Sequence, residues 1–154
     1  MARRLRRGLP EISKVIVDTS FLLPYVGLRV KEVSDEVMDW LEGIELYYPY
    51  AMVPELIGVV IKEARKMRLG TIPEQALRGL NSIMYGDTIH LITPVDQDLS
   101  TTYDLIKSGL SDLFDAILYA TSRRTGITAI TVDETLVDFL KKHGYSTDKI
   151  LLLT

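Results

Sequence analysis

The sequence predicts an α/β fold in which helices cover both faces of a mostly parallel sheet. Short apolar segments rich in β-branched residues alternate along the chain with longer segments whose apolar residues recur every three or four positions. No Asn-Gly hairpin turn joins two of the short segments, so successive strands are expected to be connected through helices. A chain of 154 residues with 47% hydrophobic content is long enough for one buried core.

The first predicted strand, KVIVD, is an apolar run that ends in an acid, as expected for a parallel strand buried on both faces. Thr19 and Ser20 follow as possible helix caps, and the apolar segment FLLPYV then predicts a short turn or helix. The same patterns predict four further strands and six helices. The five predicted strands, including the first, lie at 14–18, 45–49, 88–93, 127–132 and 149–153. The six predicted helices lie at 30–44, 51–70, 73–86, 96–109, 110–124 and 133–144.

Glycine, proline and polar residues set the expected helix ends. Pro54 is tolerated in the first turn of the second helix, and Gly70 is expected to stop it. The fourth helix is expected to be capped by Thr93 or Asp96 and to end at Gly109.

Composition limits the possible chemistry. The absence of cysteine excludes disulfides, thiolate metal sites and a cysteine nucleophile, and two histidines make a histidine-rich zinc site hard to build, so any metal is expected to be held by oxygen. No apolar run is long enough to span a membrane, and no apolar segment follows the N-terminal arginines as a signal peptide requires. The protein is therefore expected in the cytoplasm.

The N-terminal residues differ in charge from the rest of the chain. Four arginines lie within the first ten residues, whereas residues 11–154 hold 14 of the 18 basic residues and all 21 acidic ones, a net charge of −7. We predict a flexible basic arm over residues 1–12 and a single domain over 13–154. The arm is either a solvated terminus or a contact for a phosphate backbone.

Acidic residues follow strands or begin helices at several distant points of the chain. Asp18 ends the first strand, Asp133 ends the fourth, Glu55 begins one helix, and Asp112 and Asp115 lie three residues apart at the start of another. Ligands of open parallel sheets bind at the carboxyl ends of the strands, where these acids would meet. Clustered carboxylates need a positive neutraliser, and ligation by oxygen alone suits Mg²⁺ or Mn²⁺.

These residues resemble a known family. The segments IVDTS, VPEL, LSDLFDA and TVDETL occur in the order expected of PIN domain nucleases, which include the toxin nucleases of VapBC toxin–antitoxin pairs. The resemblance covers the chain from about Val15 to about Leu153. It implies a three-layer α/β/α sandwich and a metal-dependent ribonuclease, with catalytic and metal-binding acids at Asp18, Glu55, Asp115 and Asp133 and supporting hydroxyls at Ser20 and Thr131.

Some acids have a second interpretation as structural residues. Asp112 is either an additional metal ligand or the N-cap of its helix, a role for which Ser111 competes. Asp133 is able to cap the last helix as well as bind, and Glu134 either caps that helix or shares the metal. Glu63 lies two turns beyond Glu55, which makes Glu55 the least certain of the four assignments.

The aromatic and histidine residues have weaker functional interpretations. Tyr47, Tyr48 and Tyr50 either stack on bases or pack beside their strand. His90 and His143 are expected to be structural or exposed to solvent.

The hypothesis that follows is a divalent-metal endoribonuclease in which the acids hold one or two Mg²⁺ or Mn²⁺ ions that activate water for attack on phosphorus. A haloacid dehalogenase phosphatase would need an acid where Ser20 stands, and a receiver domain would need a lysine at a late strand end. A catalytically idle module that binds RNA or protein remains an alternative, as does a housekeeping RNA-processing nuclease. The resemblance also implies a homodimer and an antitoxin protein as partners.

Overall fold

The computed structural model describes residues 8–153 and contains one parallel sheet. Its strands are β1 (Lys14–Val17), β2 (Glu45–Pro49), β3 (Ile89–Ile92), β4 (Ala129–Thr131) and β5 (Ile150–Leu152). They lie in the order β3-β2-β1-β4-β5, and all four pairings are parallel. The predicted strands are therefore confirmed, and so is the predicted α/β fold class.

Six α-helices connect or flank these strands. They are α1 (Asp35–Leu41), α2 (Val53–Lys66), α3 (Glu74–Tyr85), α4 (Asp96–Lys107), α5 (Leu113–Thr125) and α6 (Glu134–Lys142). The segment after β1, predicted as a turn or short helix, forms two 3-10 turns over Thr19–Phe21 and Leu23–Val26. None of the helices in the described part of the chain is long and apolar enough to cross a membrane.

The strand order places a crevice beside the central strand. From β1 the chain continues through β2 to β3 on one side, and it later returns to add β4 and β5 on the other side. Val15, Ile16 and Val17 are completely buried, so β1 lies at the centre of the core. In open α/β sheets, ligands bind outside the carboxyl ends of the strands at the point where the order reverses, which here lies between β1 and β4.

The predicted end of α2 and the predicted N-cap of α4 are wrong. Helix α2 ends at Lys66 rather than at Gly70, because Arg68 adopts a left-handed conformation with φ of 55° and the helix cannot continue through it. Helix α4 is not capped by Thr93 or Asp96. Its N-cap is Val95, whose backbone N–H donates to the carboxylate of Asp98 in the first turn.

The part of the predicted arm that the structure describes contacts the domain. The carbonyl oxygen of Pro10 accepts a hydrogen bond of 3.1 Å from the indole nitrogen of Trp40, and Leu9 and Ile12 pack against the core. Gly8 and Leu9 also line a surface depression together with Leu152 at the end of β5. The four arginines of the arm lie in residues 1–7, outside the described residues.

Candidate active site

Asp18 follows β1 directly and is held by hydrogen bonds at both carboxylate oxygens. Its Oδ1 accepts a bond of 2.6 Å from the backbone N–H of Ser20, and its Oδ2 accepts a bond of 3.0 Å from the hydroxyl of Thr131 on β4. The side chain is 9% exposed. Burial raises the pKa of Asp18, and the bonds from Ser20 and Thr131 oppose that rise. Asp18 is therefore an oriented carboxyl whose charge is costly without a cation.

Thr131 links the first predicted acid to the fourth. Its hydroxyl donates to Asp18 and accepts a 3.0 Å hydrogen bond from the backbone N–H of Asp133. Asp133 in turn caps α6, with its Oδ1 accepting a 2.9 Å bond from the N–H of Thr135. The alternative role of Asp133 as an N-cap is thus confirmed, whereas Glu134 lies in the first turn and is not the cap.

Asp112 is the N-cap of α5, which confirms one of the two roles predicted for it. Its Oδ1 accepts bonds of 2.8 Å and 3.1 Å from the N–H groups of Phe114 and Asp115. These bonds satisfy amides that the first helical turn leaves free, and Ser111 does not take this role. Asp112 remains exposed and keeps its second oxygen available.

Asp115 lies in the first turn of α5, and its pKa depends on Asp133. Burial raises the pKa of Asp115 to about 9, and a hydrogen bond to Asp133 and the charges of Asp112 and Asp18 add to the rise. The same hydrogen bond lowers the pKa of Asp133. Neighbouring carboxyls raise the pKa of one member of the pair, because like charges destabilise each other at short range.

Glu55 reaches the same place from the first turn of α2. Its pKa is raised chiefly by burial, with further contributions from the charges of Asp112 and Asp18 and an opposing hydrogen bond from Thr19. Glu63, the competing acid on this helix, instead lines a small cavity beside Val26. Glu55 is therefore the α2 carboxylate that joins the other acids.

Thr19 and Tyr48 also support the site, a role that the sequence analysis did not predict for either residue. The hydroxyls of Thr19 and Tyr48 lie 2.7 Å apart, and the Tyr48 hydroxyl also donates to the carbonyl oxygen of Met52 just before α2. Tyr48 is completely buried, so the suggestion that it stacks on bases is wrong. The position of Thr19 directly after Asp18 was the available signal, whereas nothing in the sequence indicated the cross-strand contact of Tyr48.

The other tyrosines and the two histidines have local roles. The Tyr47 hydroxyl donates to Glu45, and the ring centroid of Tyr47 lies 5.0 Å from that of His90. The ring of His143 stacks on Phe139. Both histidines thus pack against aromatic neighbours, and Tyr50 is the half-exposed tyrosine of the three.

The acids form an electrostatically coupled group without a cation. No ion pair in the described part of the chain involves Asp18, Glu55, Asp112, Asp115 or Asp133. Burial is the largest cause of the raised pKa values of Asp18, Glu55 and Asp115, and neighbouring negative charges add to the rise at Glu55 and Asp115. Across residues 8–153, however, no three acidic, histidine or cysteine side chains already stand as a finished metal cage. The donor chemistry fits a hard divalent ion that would draw these carboxylates together.

Comparison with known proteins identifies related folds. The family model of the PIN domain matches residues 15–141. Two solved structures are similar over most of the chain. Because both share 20% sequence identity or less with it, this similarity shows a shared fold only. One is a toxin–antitoxin complex from Klebsiella pneumoniae, with 18% identity, a TM-score of 0.55 and coverage of 91% of this chain and 98% of that chain. The other is PAE2754 from Pyrobaculum aerophilum, with 20% identity, a TM-score of 0.52 and coverage of 82% and 79%. Comparison with curated proteins finds no match.

Proposed function

The chain belongs to the PIN domain family, whose members are generally nucleases, and on that basis we propose that it is an endoribonuclease that depends on Mg²⁺ or Mn²⁺. The observation that carries the proposal is the meeting of acids from four separate elements at the reversal point of the sheet. Asp18 and Asp133 share the hydroxyl of Thr131, and Asp115 and Glu55 respond to the charge of Asp18.

The proposed roles follow from how each carboxyl is held. Asp18, Glu55, Asp115 and Asp133 would hold the ion or ions, with Asp112 as a further ligand. A divalent ion at such a site makes water more acidic and stabilises charge on the phosphate oxygens. Thr131 and the backbone of Ser20 orient Asp18.

In the metal-free protein the pKa of Asp115 is raised to about 9 and that of Asp133 is lowered, and a divalent ion held by both carboxyls would favour their charged forms. Cleavage by water would leave a phosphate on one product and a hydroxyl on the other.

The proposal is tested by removing one charge while keeping the fold. Asp18→Asn keeps the size of the side chain and should reduce RNA cleavage by at least about a hundredfold, the usual scale for loss of a group that acts directly on the reacting phosphate. Asp138→Asn, an exposed change on α6, is the matched control and should cleave at the wild-type rate. Purified wild-type protein that leaves single-stranded RNA intact with Mg²⁺ and with Mn²⁺ would overturn the ribonuclease proposal.

We also propose that the chain is the toxin of a toxin–antitoxin pair and works as a homodimer. Support comes from the fold it shares with the toxin–antitoxin complex of Klebsiella pneumoniae and from the acidic site, which would attract a cationic partner. Co-expression with the product of the adjacent gene tests this pairing. The expected result is a stable complex in which RNA cleavage is suppressed, and growth that is unaffected by expression of the chain alone would argue for a housekeeping nuclease instead.

A further inference from the structure

One face of α2 carries three cations in line with Glu55. Lys62 and Lys66 follow Glu55 by seven and eleven residues, spacings that return to nearly the same side of an α-helix, and Arg65 lies beside them. All three basic side chains are exposed, and none of them forms an ion pair within residues 8–153. At a rise of about 1.5 Å per residue, the row extends about 10 to 16 Å from the acidic site.

Gly58 lies on the same face between Glu55 and the cations. A Cβ atom at this position would meet no heavy atom within 4 Å, so packing does not require glycine there. Glycine inside a helix is less stable than alanine, because more backbone freedom is lost on folding. Gly58, Lys62, Arg65 and Lys66 also line one shallow surface depression together with Ile61.

Two features of this face therefore lower the stability of α2. Gly58 weakens the helix, and Lys62 and Lys66 are like charges four residues apart that repel each other, although Arg65 and Lys66 in the last turn also interact favourably with the helix dipole. The helix needs neither feature for its packing, since its buried residues Val53, Leu56, Val60 and Ala64 lie on the other side. A ligand that is negatively charged and approaches the helix backbone closely accounts for both.

Given the proposed function, we infer that the face formed by Gly58, Lys62, Arg65 and Lys66 binds the phosphate backbone of single-stranded RNA next to the cleavage site. The three cations neutralise phosphates one after another, and Gly58 leaves room for the sugar-phosphate chain to lie against α2. This contact also offsets the repulsion between RNA and a domain whose net charge is negative. The inference rests on the ribonuclease proposal and specifies how its substrate is held.

The test measures binding in the Asp18→Asn background, where RNA is not consumed. Fluorescence anisotropy with a labelled single-stranded oligoribonucleotide is recorded over a range of KCl concentrations. Each phosphate contact on a single strand contributes about 0.7 to the slope of log K against log salt, so changing all three cations to alanine should reduce the slope by about 2. The matched control changes Lys141, Lys142 and Lys149, three exposed cations near the opposite edge of the sheet, and should keep the slope.

Gly58→Leu provides a second measurement that keeps every charge. Since a Cβ atom at this position would meet no heavy atom within 4 Å and leucine favours a helix more than glycine does, the variant should be at least as stable to heat as its parent, yet bind RNA several-fold more weakly. Equal slopes for the two triple variants would overturn the inference while leaving the ribonuclease proposal intact. A wild-type protein that does not cleave RNA, together with an Asp18→Asn protein that does not bind it, would overturn both.

Discussion

Replacing Asp115 by asparagine should stabilise the metal-free protein at neutral pH. The carboxyl of Asp115 has a pKa of about 9 in the folded protein, against an ordinary value of 3.8. Between these values the folded chain holds a proton that the unfolded chain has released, so the stability of the wild type falls as pH rises. Asparagine cannot lose a proton, yet its amide is still able to donate to Asp133.

The magnitude follows from the same linkage. At pH 7 the proton held by Asp115 lowers the free energy of unfolding by at most about 4 kcal/mol, because each pH unit above the ordinary pKa of 3.8 contributes about 1.36 kcal/mol. Asp133 returns part of this cost, because its pKa is lowered by accepting the same hydrogen bond. We therefore expect Asp115→Asn to raise the free energy of unfolding by about 2 kcal/mol at pH 7, and the gain should vanish near pH 4.

Urea unfolding in the presence of a chelator, at several pH values from 4 to 8, measures this difference. Asp138→Asn serves as the control, since it removes an exposed carboxylate from α6 and should leave stability almost unchanged. Addition of Mg²⁺ should stabilise the wild type more than Asp115→Asn, because the ion binds the charged carboxyl. If the variant unfolds at the same urea concentration as the wild type at pH 7 without metal, or at a lower one, the raised pKa of Asp115 does not destabilise the folded protein as described.

Three further predictions concern single contacts. Asp112→Ala should cost about 1 kcal/mol of stability through loss of the α5 cap, whereas Asp112→Asn should keep the cap and isolate any loss of Mg²⁺ affinity, measured by calorimetry. Thr131→Val should destabilise by about 1 to 3 kcal/mol, because it leaves Oδ2 of the buried Asp18 without its donor, while Thr131→Ser should fold normally in urea titrations. Gly79→Ala should lower Tm by several degrees, since its Cβ would lie 2.1 Å from the carbonyl oxygen of Tyr25; an unchanged Tm would mean that the two segments are not in contact.

The sequence by itself determined the order of elements and predicted the acids of the candidate site. Alternation of apolar strands with amphipathic helices is a local pattern, and it located β1 to β5 because period and length depend only on neighbouring residues. The N-cap role of Asp112 could be predicted for the same reason, since a cap contacts amides two or three residues away.

Only the tertiary structure decided which polar groups meet across the sheet. The hydroxyl of Thr131 joins Asp18 to Asp133, and Tyr48 turns inward to Thr19, through contacts between residues far apart in the chain. The opposite pKa shifts of Asp115 and Asp133 are likewise a product of folding, because they depend on burial and on the approach of two elements. Residue types fix what a side chain is able to do, whereas pKa values and long-range hydrogen bonds exist only once the strands are packed.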